Sequence, residues 1–240
     1  MRKLFYIAFL ILAISAESQA SNYGKSLLLK GDTLFAAQRF SDAKKAYETA
    51  FFQQKTTSPA DLLKLSFIEE GLDDKVMSIY FLHQFYLFRP NGAVKSKIED
   101  MANQNKLSGF SMDEADYAYF LYRVYGPYAE AGLLSLAIFM FCIVIARAVK
   151  RKSLGYSPVF TFIFLLAVGY FYNFPIPYKR AILAENKIFL MSGPSSGSSV
   201  LDVLDRGHRV EWVSTEDVWY EVKWNSRKGW VKKSDLLFFM

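Results

Sequence analysis

Residues able to carry chemistry are few and scattered in this 240-residue chain, and their spacing decides against a catalytic centre. The two histidines, His83 and His208, lie far apart, with neither the spacing of metal ligands nor the company of a Ser-His-Asp set. Asp73 and Asp74 are adjacent, and side chains at successive positions of a helix or turn do not face each other as an acid–base pair. Gly24-Lys25-Ser26 lacks the preceding glycine and the strand of a phosphate-binding loop. The single cysteine, Cys142, sits inside an apolar run, so it has no partner for an intramolecular disulfide and no setting for thiol chemistry. The expectation is a non-enzyme with no cofactor and no metal. What remains is recognition, and two groups of side chains qualify for it: Gln38, Lys45, Lys64 and Tyr80 on helices for protein binding, and Phe189, Met191, Trp219 and Trp230 on strands.

The elements that must position these groups lie in different solvents. Apolar residues make up 52% of the chain, more than an ordinary soluble domain, and the excess falls at the N-terminus and between Ala129 and Phe174. The net charge of +6 does not read as a nucleic-acid surface, because Lys and Arg are interspersed with acids except in the run 146–152. Residues 1–20 begin with Arg2 and Lys3, continue through an apolar stretch from Leu4 to Ile14 and end with Ser18 and Ala20. That is the pattern of a signal peptide, cleaved or retained as an anchor. The runs Ala131 to Ala146 and Val159 to Phe174 would each form roughly 24 Å of helix, which flanking tyrosines and cations extend to the bilayer core. They predict a transmembrane hairpin, with spans at 127–149 and 157–175. The basic loop 150–156 should be cytoplasmic, with Tyr125, Tyr128, Tyr170, Tyr172 and Tyr178 near the outer interface. Both folded parts, 21–126 and 184–240, are then placed outside the bacterial cytoplasmic membrane, the second after a linker at 176–183.

Between the signal and the first span, Leu27, Gly31, Leu34, Ala43, Tyr47 and Ala50 recur at spacings that resemble a tetratricopeptide repeat. Small Gly31 and Ala43 would let two antiparallel helices approach, with Tyr47 filling the space between them. A second unit keeps Leu62, Leu65 and Pro90 but has Ser66 and Ser78 at the positions of the small glycine and alanine. The stretch 113–125, with Tyr117, Phe120, Leu121 and Val124, is expected to cap the stack. Such repeats imply a groove for a partner protein.

At the other end, alternation of Tyr220, Val222 and Trp224 with Trp219, Glu221 and Lys223 is the period of a strand with one packed face. Ser192 to Ser195, Val200 to Leu204, Gly207 with Val210, Trp219 to Val222 and Gly229 to Val231 resemble the bacterial SH3 domain, implying a small all-β barrel that binds cell-wall peptide or protein. Phe189 and Met191 replace polar residues common before the first turn, and that departure favours a protein-binding or structural role over a polar groove.

The sequence therefore predicts a multi-domain membrane protein: all-α tetratricopeptide-like repeats, a two-helix transmembrane hairpin and a C-terminal all-β SH3-like barrel. This order is similar to the BatE proteins of bacterial aerotolerance operons. The resemblance implies a scaffold or accessory subunit, linked to oxidative stress, in an envelope complex with von Willebrand-type and AAA ATPase partners. The alternative expectation is an envelope protein that holds cell-wall peptide through its SH3-like domain. An apolar closure of the surface around Phe189, Met191 and Trp230 would favour the scaffold, and an open groove with donors and acceptors would favour wall binding.

Overall fold

The computed structural model describes residues 22–111, 113–151, 153, 155–173, 177–225 and 227–239. The expected signal peptide at 1–20 and the helix stop at Pro175 lie outside these residues. The chain forms two compact units, one made of residues up to Ser111 together with those from Arg180 onward, the other of Met112–Lys179.

The first unit starts with helix α1 over residues 22–36 and α2 at Phe40–Glu48, followed by a π-helical turn at Thr49–Gln53. A Cβ on Gly31 would lie 2.5 Å from the Tyr47 ring, so glycine is what lets α1 and α2 close. Tyr47 is fully buried and donates its hydroxyl to Asp32 at 2.6 Å. The π turn widens the helix so that adjacent Phe51 and Phe52 both meet Tyr80 and Phe81 of α4, with centroids 5.5 to 6.3 Å apart. Helix α3 (Pro59–Gly71) opens on a capping box between Ser58 and Asp61 with proline at its first turn, an arrangement that satisfies the orphan amides. It packs on α4 (Lys75–Phe88), which Asp74 caps. Where the sequence places Ser66 and Ser78 instead of smaller residues, the two hydroxyls meet at 3.1 Å in the buried helix contact, and Ser78 also donates to the Ser66 carbonyl. Helix α5 (Gly92–Gln104) completes the helical layer.

Arg180 begins the β part of the same unit. Strands β1 (Arg180–Leu183), β2 (Ile188–Met191), β3 (Val200–Leu204), β4 (Arg209–Glu216), β5 (Trp219–Trp224), β6 (Arg227–Lys232) and β7 (Leu236–Phe238) form one antiparallel sheet in the order β3-β2-β6-β5-β4-β1-β7. Residues 180–183, expected as linker, are thus a wholly buried strand between β4 and β7. Four residues without a turn signal do not disclose the long-range pairing that makes them a strand. Ala181, Leu183, Leu190, Val222 and Val231 are at the centre of the barrel core. Helices and barrel share a seam: Tyr80 donates to the Phe238 carbonyl at 2.9 Å, Arg206 pairs with Asp74 at 2.9 Å, and Gly207, at φ +96°, brings its backbone against Val76 and Leu107. Burial raises the Asp74 carboxyl, but the Arg206 hydrogen bond and the Met77 N–H outweigh it and hold the group below the usual carboxylate range.

The second unit is a pair of helices, α6 (Glu114–Val149) and α7 (Ser157–Asn173), packed along one another. Tyr178, just after α7, donates to Asp116 at 3.2 Å and stacks near Tyr119 at 4.7 Å, so the helices run antiparallel. The stretch 113–125, expected to cap the helical layer, belongs to the second unit. An Asp113–Asp116 capping box starts α6 there, and the helix continues through Pro127 without a break. Among the described residues one helix, over Asp116–Val149, is long and apolar enough to cross a membrane; α7 has 17 residues, about 26 Å of helix, against a bilayer core of about 30 Å. Length therefore separates the two expected spans. Both helices expose apolar side chains outward, among them Phe139, Phe141, Phe162 and Leu166.

The close approach of α1 and α2 gives a paired test. Gly31→Ala should lower unfolding stability of the detergent-solubilised chain by about 1 to 3 kcal/mol through overpacking against Tyr47. Gly71→Ala, at the end of α3 with nothing within 4 Å, should raise it by about 0.5 to 1 kcal/mol. Thermal unfolding followed by circular dichroism reads both, and equal effects would contradict the packing described.

Candidate functional site

A pocket opens on the barrel face between β2, β5 and the end of β6. It has a volume of about 330 Å³ and is lined by Phe189, Met191, Ser196, Trp219, Lys232, Ser234 and Asp235. Strand pairing places its parts. Gly229 on β6 is needed because a Cβ there would lie 2.6 Å from Leu190, and its absence lets β6 lie on β2, where Met191 pairs with Trp230. Trp219 on β5 pairs with Lys232 on β6, and the Lys232 ammonium sits 5.6 Å from the Trp219 ring centroid, within reach of a cation–π attraction.

The serine-rich turn after β2 is held by its own hydrogen bonds. Ser192 N–H donates to the Ser199 carbonyl at 2.9 Å, the two hydroxyls meet at 2.8 Å, and Gly197 N–H reaches the Ser195 hydroxyl at 3.2 Å. These bonds fix the turn that carries Ser196 to the pocket edge. On the far side a short 3-10 turn, Lys233–Asp235, places Ser234 and Asp235, with the Ser234 hydroxyl donating to the Asp235 carboxylate at 2.8 Å. One wall is thus apolar and aromatic, and the other offers an ammonium, two hydroxyls and a carboxylate. Such a surface offers apolar contact on one side and hydrogen-bonding and charged groups on the other, which suits an extended chain with polar termini.

The structure distributes the expected residues unevenly. Phe189 (57% exposed), Met191 and Trp219 meet in the pocket, whereas Trp230 is half-buried next to Met191. Phe189 and Met191, expected to favour a protein-binding or structural role over a polar groove, form the apolar wall of the pocket, and its polar side comes from Ser196, Lys232, Ser234 and Asp235. The Lys-Lys-Ser-Asp run directly after the Gly-Trp-Val strand was the available signal.

The four helical candidates are not brought together. Tyr80 is 1% exposed, stacked near Phe239 and bonded to Phe238 and Gln84, so the barrel's C-terminal segment occupies the face it was expected to offer a partner. Lys64 is engaged with Asp32 at 2.6 Å and lies over the Phe35 and Tyr47 rings, tying α3 to α1. Gln38 is exposed, and its φ of 58° makes it the left-handed residue that ends α1. Lys45 is exposed on α2.

No curated protein matches the chain. Residues 188–237, which carry β2 to β6, the start of β7 and every side chain of the pocket, match the family described as the Bacterial SH3 domain.

Proposed function

We propose that this chain is a non-catalytic, membrane-anchored protein of the bacterial envelope whose SH3-like barrel holds cell-wall peptide on the outer side of the cytoplasmic membrane. The observation that carries this reading is the open pocket, where Lys232 and Asp235 offer opposite charges beside the apolar wall of Phe189, Met191 and Trp219. A short peptide with a free carboxylate and a free amine on an extended backbone matches that pattern: carboxylate to Lys232, amine to Asp235, and its apolar side chains along Phe189.

The discontinuous first unit supports a chain that crosses the membrane twice. Residues before α6 and after α7 fold together, so they share one side of the membrane, and a crossing by α6 requires a return. Helix α7 is the segment available for it, extended to the interface by Tyr170 and Tyr172, both largely exposed. Arg147, Lys150 and Arg151 then mark the cytoplasmic turn, with the barrel and helical layer outside.

A second reading, an accessory subunit similar to BatE proteins with von Willebrand-type and AAA ATPase partners, is favoured by a different observation. Phe35, Phe40 and Phe67 form an aromatic trio with centroids 5.4 to 5.9 Å apart, and Phe67 is 58% exposed on the tetratricopeptide-like layer. An exposed aromatic cluster of this kind suits a protein partner better than a wall peptide.

Lys232→Gln and Phe189→Ala should each weaken retention of the purified full-length protein on isolated wall sacculi by about tenfold, roughly 1.4 kcal/mol, while Lys45→Gln leaves it unchanged. Sacculi that retain none of these proteins would remove the wall reading, and co-purification of a membrane complex that Phe67→Glu abolishes would put the second in its place. For topology, single cysteines at Ser153 and Ser195 in a Cys142→Ser background should respond oppositely to a membrane-impermeant thiol reagent in intact cells. Labelling of both from outside would exclude the double crossing.

A further inference from the structure

The protein has two histidines, and both lie on the seam between helices and barrel although 124 residues separate them in the chain. His208, in the turn between β3 and β4, accepts the Ser108 N–H on Nδ1 at 2.9 Å, with its ring 4.9 Å from Trp224. An imidazole nitrogen that accepts a hydrogen bond must be unprotonated, so this contact exists only with neutral His208 in its Nε2–H tautomer. Protonation of Nδ1 sets one donor against another.

His83, on α4, is 5% exposed, with its ring centroid 4.4 Å from Phe239 and 6.2 Å from Tyr86. The charged groups facing it come from the barrel: Arg209 of β4 and Arg180 of β1, the latter paired with Glu211 at 3.5 Å. An imidazolium there would be a third cation in a desolvated seam. Around His208 the facing charge is Asp205, which offsets only part of the effect of burial. The seam is therefore built on two neutral imidazoles.

We propose that His83 and His208 form an acid-sensitive clasp whose protonation unseats the segment Leu236–Phe239 and the turn 206–209 from α4 and from residues 107–111. Opening would uncover Tyr80 and the face of α4 that the barrel covers. Burial lowers the affinity of both imidazoles for a proton, in His83 well below the ordinary value, with Arg209 and Arg180 adding to the effect. The open state then binds protons that the closed state refuses. The closed state accordingly keeps its full stability above the ordinary histidine value of about 6.5 and loses it as pH falls below that value.

Other groups do not reproduce this response. Burial raises the Glu48 carboxyl, with Lys44 opposing and Glu69 reinforcing the shift, so protonation there stabilises the closed fold as pH falls, with opposite sign. The Asp74 carboxyl is held low by Arg206 and stays ionised in the same range.

Hydrogen–deuterium exchange on the full-length protein in nanodiscs, at pH 7.5 and 5.5, tests the clasp, with strands β5 and β6 as internal reference for the intrinsic pH dependence of exchange. Protection of residues 236–238 and 107–111, relative to that reference, should fall about tenfold at pH 5.5, one unit below the ordinary histidine value. His208→Asn keeps an acceptor for Ser108 and removes the titration, and His83→Gln removes the buried imidazole; each should reduce the acid response, and together they should abolish it. Unchanged protection in the wild type, or an undiminished response in His208→Asn, overturns the proposal. The second outcome is readable even where the double variant fails to fold.

Discussion

The structure depends on how the chain closes the neck of its long apolar excursion. Arg209, 6% exposed, donates through its guanidinium to the carbonyls of Gly109 and Ser111, and its backbone N–H takes the Ser108 carbonyl at 3.0 Å. The same residue pairs in register with Ile182 on β1. One side chain therefore binds the point where the chain leaves the first unit to the strand with which it re-enters. Burying a guanidinium is costly unless its donors are satisfied, and here backbone carbonyls at fixed positions satisfy them with the Phe110 ring 5.7 Å away. Gly109, at φ +89°, is required at this neck because a Cβ would collide with the Arg209 carbonyl.

A neck of this kind changes what the barrel is. A terminal module on a linker would fold and move by itself, whereas here β1 lies between β4 and β7 and adjoins the excursion, so the barrel is complete only when the chain has returned. The entropy of closing a long loop grows only slowly with its length, so the excursion adds little cost once the neck forms. Its effect falls on folding order: contacts between α4 and the tail Leu236–Phe239 span most of the chain and must follow local helix formation. The folding of α6 and α7 then sits inside the folding path of a unit they do not belong to.

Much of the local architecture was legible because it rests on short-range steric demands. Gly31 against Tyr47, the serine turn at Ser192 to Ser195 and the glycine that opens Gly229 to Val231 each follow from a residue that must be small or must turn where it stands. Tyr80, Arg180 to Leu183 and the stretch 113–125 were misread for a common reason. An apolar or aromatic residue on a helix face signals burial without saying what buries it, and a four-residue strand carries too little period to announce its partners. The pocket was half legible. Its apolar wall stood out as a departure from a familiar pattern, while Lys232, Ser234 and Asp235 looked like any polar chain end until the 3-10 turn folded them back over β5.

Sheet order gives the division of labour in the barrel. In the sequence β3-β2-β6-β5-β4-β1-β7, the strands at one end, β4, β1 and β7, carry Arg209, Arg180 and the tail that meets α4. Those at the other, β2, β6 and β5, carry the pocket. At the β7 edge the Phe238 carbonyl accepts the Tyr80 hydroxyl of α4, which blunts that edge as a template for strand pairing. The β3 edge keeps Val200, Leu201 and Val203 exposed beside Phe189, its register neighbour of Val203 on β2. Because the seam consumes one end of the sheet, the pocket lies toward the other, and the apolar rim at β3 continues its wall outward from Phe189.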